Sequence, residues 1–373
     1  MRLTALTLAN FKNIASATLE LSPKINCFLG DNGMGKSNLL DALYLLSYCR
    51  SFTGVTDTQL IKRGEDFAMV NGRYMRRGID EELNVAIRPG RRKSFKRAGK
   101  EYKRIADHLG AFPLVLLSPA DFTLTAGEPS ERRRLMDQIS SQSDPRYLEA
   151  LVRYGDLLER RNRLLRDQAD DAALYEALEI QMDAAAAYLC RRRRECVEAL
   201  LPVFRRFYTS ISGTEVPGLE YLPSLRDAAG EPGAFAEKLA AVRSRDLILG
   251  YTSSGPHRDD LDMTLDGAPV RRVASQGQTK TYTSALRFAQ YELLHTDLGL
   301  QPLLLLDDIF DKLDAGRVER IIATVADSAA FGQIFITDTN RRHLDEIVGQ
   351  ISATGAPSRL WSVDSGRFSL LEV

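Results

Sequence analysis

The sequence has no excess of either charge, because Lys and Arg number 50 of its 373 residues and Asp and Glu also number 50. This balance excludes a protein that is basic throughout, so any nucleic-acid contact must come from a local patch. No segment approaches the ~20 apolar residues of a membrane-spanning helix. The first residues also lack the apolar core of a signal peptide. We therefore expect a cytoplasmic protein with no membrane partner.

Cysteine is scarce as well. The sequence contains only Cys27, Cys49, Cys190 and Cys196. None of them belongs to a Cys-x-x-Cys pair, so neither a structural zinc site nor a disulfide framework is predicted. We expect free thiols in a reducing compartment.

A glycine-rich segment lies between a predicted strand, Ile25 to Leu29, and a predicted helix, Ser37 to Leu46. It reads Gly30-Asp31-Asn32-Gly33-Met34-Gly35-Lys36-Ser37. This is the G-x4-G-K-[ST] pattern, whose glycines let backbone N–H groups wrap around phosphates at a helix N-terminus. Lys36 would reach the β- and γ-phosphates, and Ser37 would ligate Mg²⁺. The segment predicts binding of a nucleoside triphosphate, with ATP as the first choice.

Two carboxylates follow a second buried strand, Pro302 to Leu306. Asp307 is placed to orient Mg²⁺, and Asp308 is placed to polarise an attacking water as a general base. Another strand, Gln333 to Thr337, comes after a helical stretch from Ala315 to Ala329. This β-α-β order predicts a parallel sheet covered by helices.

A third element precedes a predicted helix from Thr279 to His295. It reads Ser275-Gln276-Gly277-Gln278. Small residues and a glycine leave backbone N–H groups free at a helix N-terminus, which is an anion-binding arrangement.

The middle of the chain differs in amino-acid composition from both ends. From about 130 to 210, Gly and Pro are rare and Arg, Glu, Ala and Leu dominate, which predicts long helices. Pro145 and the acidic cluster from Asp167 to Asp171 are expected breaks, which gives a helical hairpin. A Gly- and Pro-rich stretch from Gly213 to Gly233 is expected to interrupt the regular structure before a strand at Leu261 to Leu265.

The order of these motifs resembles the ABC-type ATPase head and, more narrowly, the RecF family of bacterial recombination mediators, which is related to SMC-type heads. Further matches are Asn10-Phe11-Lys12-Asn13, the stretch from Gly127 to Arg134, and Ser254-Gly255-Pro256-His257-Arg258-Asp259-Asp260. The resemblance spans nearly the entire chain. It implies an α/β fold: a P-loop ABC-type head with mixed sheets and flanking helices at 1–128 and 250–373, plus an inserted helical arm at 129–249.

The resemblance also implies a head that dimerises on ATP. The segment from Ser275 to Gln278 of one subunit would close over the γ-phosphate held by the other subunit's P-loop. Asp311 and Asp314 would lie at that interface as the D-loop. Many relatives of this fold carry Glu where this chain has Asp308, and the shorter side chain implies slow hydrolysis.

Three positions stay open from the sequence alone. Many ABC-type ATPases carry a switch His where this sequence has Thr337 and Asp338, so either residue could sense the γ-phosphate. No Q-loop glutamine is evident, and Ser118 to Asp121 occupies a comparable place. His257 could be a loop histidine bonded to a carboxylate or could have a direct role.

A basic segment from Arg88 to Arg104 contains nine Lys and Arg residues against one acid, Glu101, with Phe95 and Tyr102 interleaved. It suits phosphate contacts with base stacking, and the alternative is a solvated hairpin. The residues expected to help hold DNA are Arg91, Arg92, Lys93, Lys96 and Arg97.

The leading functional prediction is an ATP-controlled DNA-binding protein of recombinational repair. ATP would close a homodimer on single-stranded DNA or on a gapped or duplex junction, and a weak ATPase would open it as a timer. The resemblance implies recombinase loading at gaps beside RecO- and RecR-type partners. The alternatives are the ATPase subunit of a transporter and a P-loop kinase or GTPase. Gel filtration with ATP would separate the head from a kinase or GTPase, since only the head requires a dimer.

Overall fold

The computed structural model describes residues 1–213, 215–225, 231–310, 313–326, 330–353 and 355–371. The chain divides into two compact units. The first unit comprises Met1–Phe122, Ser210–Gly213 and Ser275–Val373, and the second comprises Thr123–Thr209 and Thr214–Ala274. The described residues include no helix that combines the length and the apolar character needed to span a bilayer.

An antiparallel sheet forms one part of the first unit. Its strands are β1 (Arg2–Phe11), β2 (Ile14–Glu20), β4 (Ala68–Arg76), β5 (Ile79–Ile87), β6 (Ser94–Arg97) and β7 (Lys100–Glu101), in the order β2-β1-β4-β5-β6-β7. Strand β1 alternates between buried and more exposed positions, and Leu6 and Leu8 belong to the core. Such a period of two is typical of an antiparallel sheet with one buried face.

A second, largely parallel sheet forms the other part of the first unit. Its strands are β3 (Ile25–Leu29), β8 (Leu114–Leu117), β12 (Leu303–Asp307), β13 (Ile334–Asp338), β14 (Ser358–Asp364) and β15 (Arg367–Leu371), in the order β15-β14-β3-β13-β12-β8. Only the β14–β15 pair among the described strands of this sheet is antiparallel. The remaining strands run in one direction, so their carboxyl ends meet at one edge.

Helices accompany these strands along the chain of the first unit. They are α1 (Lys36–Tyr48), α7 (Gln276–Leu298), α8 (Ala315–Ala326) and α9 (Arg341–Ser352). Every residue of β12 and β13 is buried, as expected for central strands of a parallel sheet. Helix α1 packs Leu39, Leu43 and Leu46 into the core. The α/β head with mixed sheets and flanking helices is therefore confirmed.

The second unit is mainly helical. It contains α2 (Pro129–Ser143), α3 (Pro145–Arg166), most of α4 (Ala172–Ile211), β9 (Pro217–Leu222), α5 (Ala234–Leu249), β10 (Asp260–Leu265), β11 (Ala268–Pro269) and α6 (Val270–Val273). Pro145 begins α3, where Asp144 caps the helix by accepting a hydrogen bond from the Arg146 N–H. The predicted breaks at Pro145 and at Asp167 to Asp171 therefore separate three helices.

The stretch from Gly213 to Gly233 is less irregular than predicted. It contains β9, which pairs antiparallel with β10, and Thr264 approaches Gly218 so closely that an added Cβ would lie 2.3 Å from its Oγ1. This strand forms despite its Gly and Pro content because it pairs with β10, which is distant in sequence. A local sequence pattern does not predict such pairing. Because of this pairing, residues 250–274 belong to the second unit. That unit begins at Thr123 and ends at Ala274, whereas the sequence analysis placed its bounds at 129 and 249.

Candidate nucleotide-binding site

The loop between β3 and α1 is shaped by its glycines. Gly33 and Gly35 have φ angles of 81° and 114°, which L side chains rarely adopt. A Cβ on Gly35 would lie 2.8 Å from Asn13 Oδ1, and one on Gly30 would lie 2.3 Å from the carbonyl oxygen of Val363. These three positions therefore need glycine for conformation or for space.

Lys36 lies folded into this loop and is 4% exposed. Its Nζ donates to the carbonyl oxygens of Gly30, at 2.7 Å, and Asp31, at 3.1 Å. The ammonium is thus held over the loop by two carbonyls instead of by a carboxylate. Such a cation is positioned to exchange these weak partners for the phosphates of a nucleotide.

Ser37 and Asp307 meet at the carboxyl edge of the parallel sheet. The Ser37 hydroxyl donates to Asp307 Oδ1 at 2.9 Å, and the Thr337 hydroxyl donates to the same oxygen at 2.7 Å. Burial raises the pKa of Asp307, and the hydrogen bonds from Thr337 and Ser37 and the charge of Lys36 oppose that rise. A buried carboxylate beside a hydroxyl oxygen is a donor set that suits Mg²⁺.

No group of three or more His, Cys, Asp or Glu side chains among the described residues could hold a metal ion. An ion at Ser37 and Asp307 would therefore complete its shell with phosphate and water oxygens. That is how Mg²⁺ is usually bound at nucleotide sites, so these residues fit the ion.

Asp308 has an unusual backbone. Its φ is 45°, in the left-handed region, and its N–H donates to Thr337 Oγ1 at 3.1 Å. Left-handed geometry at a non-glycine residue is uncommon and often marks a functional position. Thr337 therefore bridges Asp307 and Asp308, the two residues that the sequence placed in metal binding and water activation.

Thr337 and Asp338, the two candidates for the γ-phosphate sensor, have different surroundings. Asp338 accepts from the Asn340 N–H and contacts His343 Nδ1, each at 2.8 Å. The Thr337 hydroxyl contacts the carboxylate of Asp307 and the backbone N–H of Asp308. The sensor role stays a prediction, and Thr337 is the candidate whose hydroxyl contacts both Asp307 and Asp308.

The segment from Ser118 to Asp121 follows β8, the strand next to β12. The Ser118 N–H donates to Asp121 Oδ2 at 2.8 Å, which closes a tight turn. Arg287 of α7 pairs with the other oxygen of Asp121. An ion pair therefore fixes this turn to α7, and its equivalence to a Q-loop stays a prediction.

The segment from Ser275 to Gln278 forms the start of α7. Ser275 accepts from the Gln278 N–H at 3.2 Å, and Gln278 Oε1 accepts from the Ser275 N–H at 2.7 Å. This capping box begins a long helix whose first residues, Ser275 and Gln276, are exposed, while Gly277 and Gln278 are partly buried. A Cβ on Gly277 would lie 2.3 Å from Arg317 Nη1, so the absence of a side chain at Gly277 leaves room for that guanidinium.

Of the two predicted D-loop residues, the structure describes Asp314. Asp314 precedes α8 and accepts from the Arg317 N–H through Oδ1 at 3.0 Å. Its side chain is 60% exposed. Asp311 lies outside the described residues.

Sequence reasoning gave no role to a second layer that supports the P-loop. Asn13 donates from Nδ2 to the Met34 carbonyl at 3.2 Å and accepts from Asn38 Nδ2 at 2.8 Å. The turn between β14 and β15 adds a bond from the Gly366 N–H to the same carbonyl, at 2.8 Å. Asn13 was flagged only as part of the motif that begins at Asn10, while the β14–β15 turn carried no signal.

The basic segment divides into exposed and engaged cations. Arg91, Arg92 and Lys96 are exposed, and none of them forms an ion pair with a residue that the structure describes. Lys93, by contrast, pairs with Asp57 at 2.8 Å. Arg97 donates two hydrogen bonds to Glu81, at 2.6 and 2.9 Å.

The aromatic residues of this segment face inward. Phe95 is 2% exposed and packs against the rings of Tyr102 and His108. Tyr102 is half-buried and contacts His108 Nδ1 through its hydroxyl at 3.1 Å. The expected base stacking by Phe95 is therefore wrong, because its ring belongs to the core beneath the hairpin.

Two of the motifs that carried the resemblance meet inside the second unit. Arg132 forms an ion pair with Asp260, and Arg133 donates from Nη1 to the Asp259 carbonyl at 2.7 Å. His257 is closed on both sides, with Tyr154 OH 2.7 Å from Nδ1 and the Thr252 carbonyl 3.0 Å from Nε2. His257 is therefore a bonded loop histidine, but its partners are a tyrosine hydroxyl and a backbone carbonyl and not the expected carboxylate.

Comparison with known proteins adds three kinds of match. The family model of the RecF/RecN/SMC N-terminal domain matches residues 2–356. A protein from Parabacteroides distasonis called DNA replication and repair protein RecF is 49% identical over 349 residues, which cover 93% of this chain and 94% of that protein. Its namesake from Porphyromonas gingivalis is 47% identical over 371 residues, with coverage of 98% and 99%.

Among solved structures, the recombination mediator protein RecF with ATP in the RecFOR pathway is similar with a TM-score of 0.88 and 28% identity, over 100% of this chain and 98% of that one. A Smc head domain with a coiled coil and joint from Pyrococcus yayanosii has a TM-score of 0.60 at 15% identity, over 100% and 97%, and shares the fold. By its family model, its relatives and its fold, this chain belongs to the RecF family of DNA replication and repair proteins.

Proposed function

We propose that this chain is an ATP-dependent DNA-binding protein of recombinational repair, whose ATP-bound dimer holds DNA and whose slow hydrolysis releases it. The observation that carries the proposal is the 2.9 Å contact between Ser37 Oγ and Asp307 Oδ1, two residues 270 positions apart. It unites the P-loop and the acidic strand end into a single site. A relative solved with ATP supports the choice of nucleotide.

The residues of the loop divide the work of holding a triphosphate. Backbone N–H groups from Gly30 to Gly35 and the N-terminus of α1 favour negative charge. Lys36 would turn from the carbonyls of Gly30 and Asp31 to the phosphates. Ser37 and Asp307 would hold Mg²⁺, which when bound neutralises phosphate charge.

Asp308 would accept the proton of an attacking water, while Thr337 fixes the backbone from which it projects. The carboxylate of Asp is one methylene shorter than that of Glu. The Asp308 carboxylate therefore reaches less far towards the attacking water. This agrees with slow hydrolysis that sets how long the ATP-bound dimer lasts.

The exposed N-terminus of α7 supports a shared site. Within the first unit, the capping box fixes the turn and bonds the N–H groups of Ser275 and Gln278, so the N–H groups of Gln276 and Gly277 are the ones we assign to an anion. We propose that this turn of one copy meets the γ-phosphate held by a second copy. Asp314 and Asp311 would lie at the same interface.

DNA would be held in part by the exposed cations of the β5–β6 region. Arg91, Arg92 and Lys96 suit contacts with phosphates, whereas Lys93 and Arg97 would support the hairpin through Asp57 and Glu81. The pathway named for the solved relative supports partners of the RecO and RecR type and a recombinase that is loaded at gaps. We place this function in the bacterial cytoplasm.

The test is the mass of the full chain by analytical ultracentrifugation, with and without ATP and Mg²⁺. We expect the Asp308→Asn variant to remain dimeric with ATP, because it binds the nucleotide but cannot activate water. Lys36→Ala should stay monomeric at the same ATP concentration. A monomer for Asp308→Asn under saturating ATP would contradict the proposal and favour a P-loop kinase or GTPase.

A further inference from the structure

An arginine from outside the segment Ser275 to Gln278 lies against the start of α7. Arg317 is the third residue of α8, and Gly277 is the second residue of α7. A Cβ on Gly277 would lie 2.3 Å from Arg317 Nη1, so the guanidinium lies directly against the first turn of α7. Both residues belong to the first unit.

This position is electrostatically unfavourable for a cation. The first turn of a helix carries a partial positive charge, which favours anions and disfavours cations. The Arg317 guanidinium lies at the first turn of α7, and Arg317 itself belongs to the first turn of α8. The positive ends of two helices and a guanidinium therefore converge on one place.

The counter-charge supplied by the protein is weak. Among the residues that the structure describes, Asp314 is the one acid that pairs with Arg317, with 3.5 Å between Nη1 and Oδ2. The Asp314 side chain is 60% exposed, and its Oδ1 already accepts from the Arg317 N–H at 3.0 Å. An exposed pair within one helix contributes little to stability. Pairing with Asp314 alone therefore does not account for the place of this guanidinium.

Two backbone donors lie beside the guanidinium. The capping box bonds the N–H groups of Ser275 and Gln278. The N–H groups of Gln276 and Gly277 donate to no acceptor in the described part of the chain. An oxyanion at this place would receive these two N–H groups and the guanidinium together, and it would neutralise the three positive charges that converge there.

Gly277 is needed for space and not for its backbone conformation. It does not have a positive φ, so its backbone would accept an alanine, which has the higher helix propensity. An alanine would instead displace the Arg317 guanidinium. The glycine and the arginine thus form a matched pair, although they lie 40 positions apart in the sequence.

We infer that Arg317 binds the γ-phosphate of an ATP held by the phosphate-binding loop of a second copy, together with the N–H groups of Gln276 and Gly277. The inference rests on the proposed dimer and adds to it a residue that distinguishes ATP from ADP. A guanidinium can hold two phosphate oxygens at once. With ADP, the guanidinium would stay at two helix N-termini without an anion, which disfavours the dimer.

The test measures the dissociation constant of the dimer by analytical ultracentrifugation, with the full-length Asp308→Asn chain as background and saturating ATP and Mg²⁺. We expect Arg317→Ala to raise this constant by about tenfold or more, as loss of a charge-assisted hydrogen bond would. Arg317→Lys should raise it less, because lysine keeps the charge and loses the fork. Tm should stay unchanged or rise in Arg317→Ala, since a cation leaves two helix N-termini.

A double-mutant cycle tests the contact with α7. Gly277→Ala displaces the guanidinium and keeps its charge, so it should weaken the ATP-bound dimer when Arg317 is present and add little to Arg317→Ala. Additive effects of the two substitutions would overturn the inference. The matched control is Arg163→Ala, which removes an arginine that pairs with Glu159 of its own helix at 3.6 Å and should leave the dimer constant unchanged.

Three further outcomes decide the assignment. An Arg317→Ala dimer as tight as that of the background would overturn it. So would an equal loss in the binding of a fluorescent ATP analogue to the monomer, because the guanidinium would then serve the nucleotide of its own copy. If the Asp308→Asn chain formed no dimer with ATP, the proposed function would fail together with this inference. A dimer that forms with ATP and does not depend on Arg317 overturns this inference alone.

Discussion

Arg132 and Asp260 form a two-point ion pair, with Nε 2.7 Å from Oδ1 and Nη2 3.0 Å from Oδ2. The same guanidinium donates from Nη1 to the Gly127 carbonyl at 2.8 Å. Arg132 belongs to the first turns of α2, and Asp260 begins β10. The planar fork of arginine thus joins the start of a helix to the start of a strand within the second unit.

Replacing Arg132 by Lys keeps the charge and removes the fork. We expect Arg132→Lys to destabilise the second unit by about 1–3 kcal/mol, because Arg132 is buried and lysine cannot satisfy all its acceptors. Urea titration measures the change. Arg163→Lys is the matched control, since its ion pair with Glu159 is largely exposed and should contribute well under about 1 kcal/mol. Equal shifts for both variants would contradict this role.

The elements around the nucleotide site could be predicted because their signals are local. The P-loop pattern lies between a strand and a helix, and the apolar run before Asp307 ends where the carboxylate is needed. Parallel strands bring such ends to one edge of a sheet. The 2.9 Å contact of Ser37 with Asp307 could be anticipated from these rules without an alignment.

Long-range partners could not be predicted in the same way. The basic segment looked uniform in sequence, yet Asp57 and Glu81 pair with two of its cations. Helix α5 was also missed, although it begins after one glycine, Gly233, and ends at another, Gly250, which are local signals. For the cations of the basic segment, the decisive feature is an acid far away in sequence.

Stability should depend on pH through His257. Burial lowers its pKa from 6.5 to about 4, opposed by the bond to the Thr252 carbonyl and assisted by the charges of Arg258 and Arg133. His257 is therefore protonated near pH 6.5 in the unfolded chain but only near pH 4 in the folded chain. The contribution of neutral His257 to the free energy of unfolding is fully present above pH 6.5. It decreases as the pH falls from 6.5 towards 4, by roughly 3 kcal/mol in total.

The measurement is Tm as a function of pH between about 7.5 and 4.5. His257→Gln should lower Tm at neutral pH and reduce the slope below pH 6.5. Burial also lowers the pKa of His108 to about 4, so a residual slope should remain and should decrease further in the double variant. A His257→Gln variant with the slope of the wild type would contradict this account.

Asn13 should tune nucleotide affinity although it lies outside the nucleotide-binding loop. Asn13→Ala removes the donor to the Met34 carbonyl and the acceptor for Asn38, and it leaves space beside Gly35. We expect about tenfold weaker binding of a fluorescent ATP analogue, equivalent to about 1.4 kcal/mol, because the loop becomes less preorganised.

The matched variant for this prediction is Asn38→Ala, which removes only the bond to Asn13 Oδ1. It should weaken ATP binding less than Asn13→Ala does. Two outcomes would contradict the proposed role of Asn13 in preorganising the nucleotide-binding loop. One is a larger effect of Asn38→Ala, and the other is an Asn13→Ala variant that binds the analogue as tightly as the wild type.

The exposed cations of the basic segment should be visible in the salt dependence of DNA binding. We predict that replacing Arg91, Arg92 and Lys96 together by Ala lowers the slope of log K against log salt by about 3, roughly one for each phosphate that is no longer neutralised. DNA affinity should fall for every sequence tested, since binding to phosphates carries no base information. Titrations of the ATP-bound Asp308→Asn protein at several salt concentrations measure both quantities.

Lys93 provides the control, because its Nζ already pairs with Asp57 at 2.8 Å and its side chain is 13% exposed. Lys93→Ala should lower Tm more than it changes the salt slope, since the partner of this ammonium is a carboxylate of the protein and not a phosphate. A slope that falls equally with Lys93→Ala would mean that the pair with Asp57 opens on DNA. An unchanged slope in the triple variant would remove this segment from the DNA-binding surface.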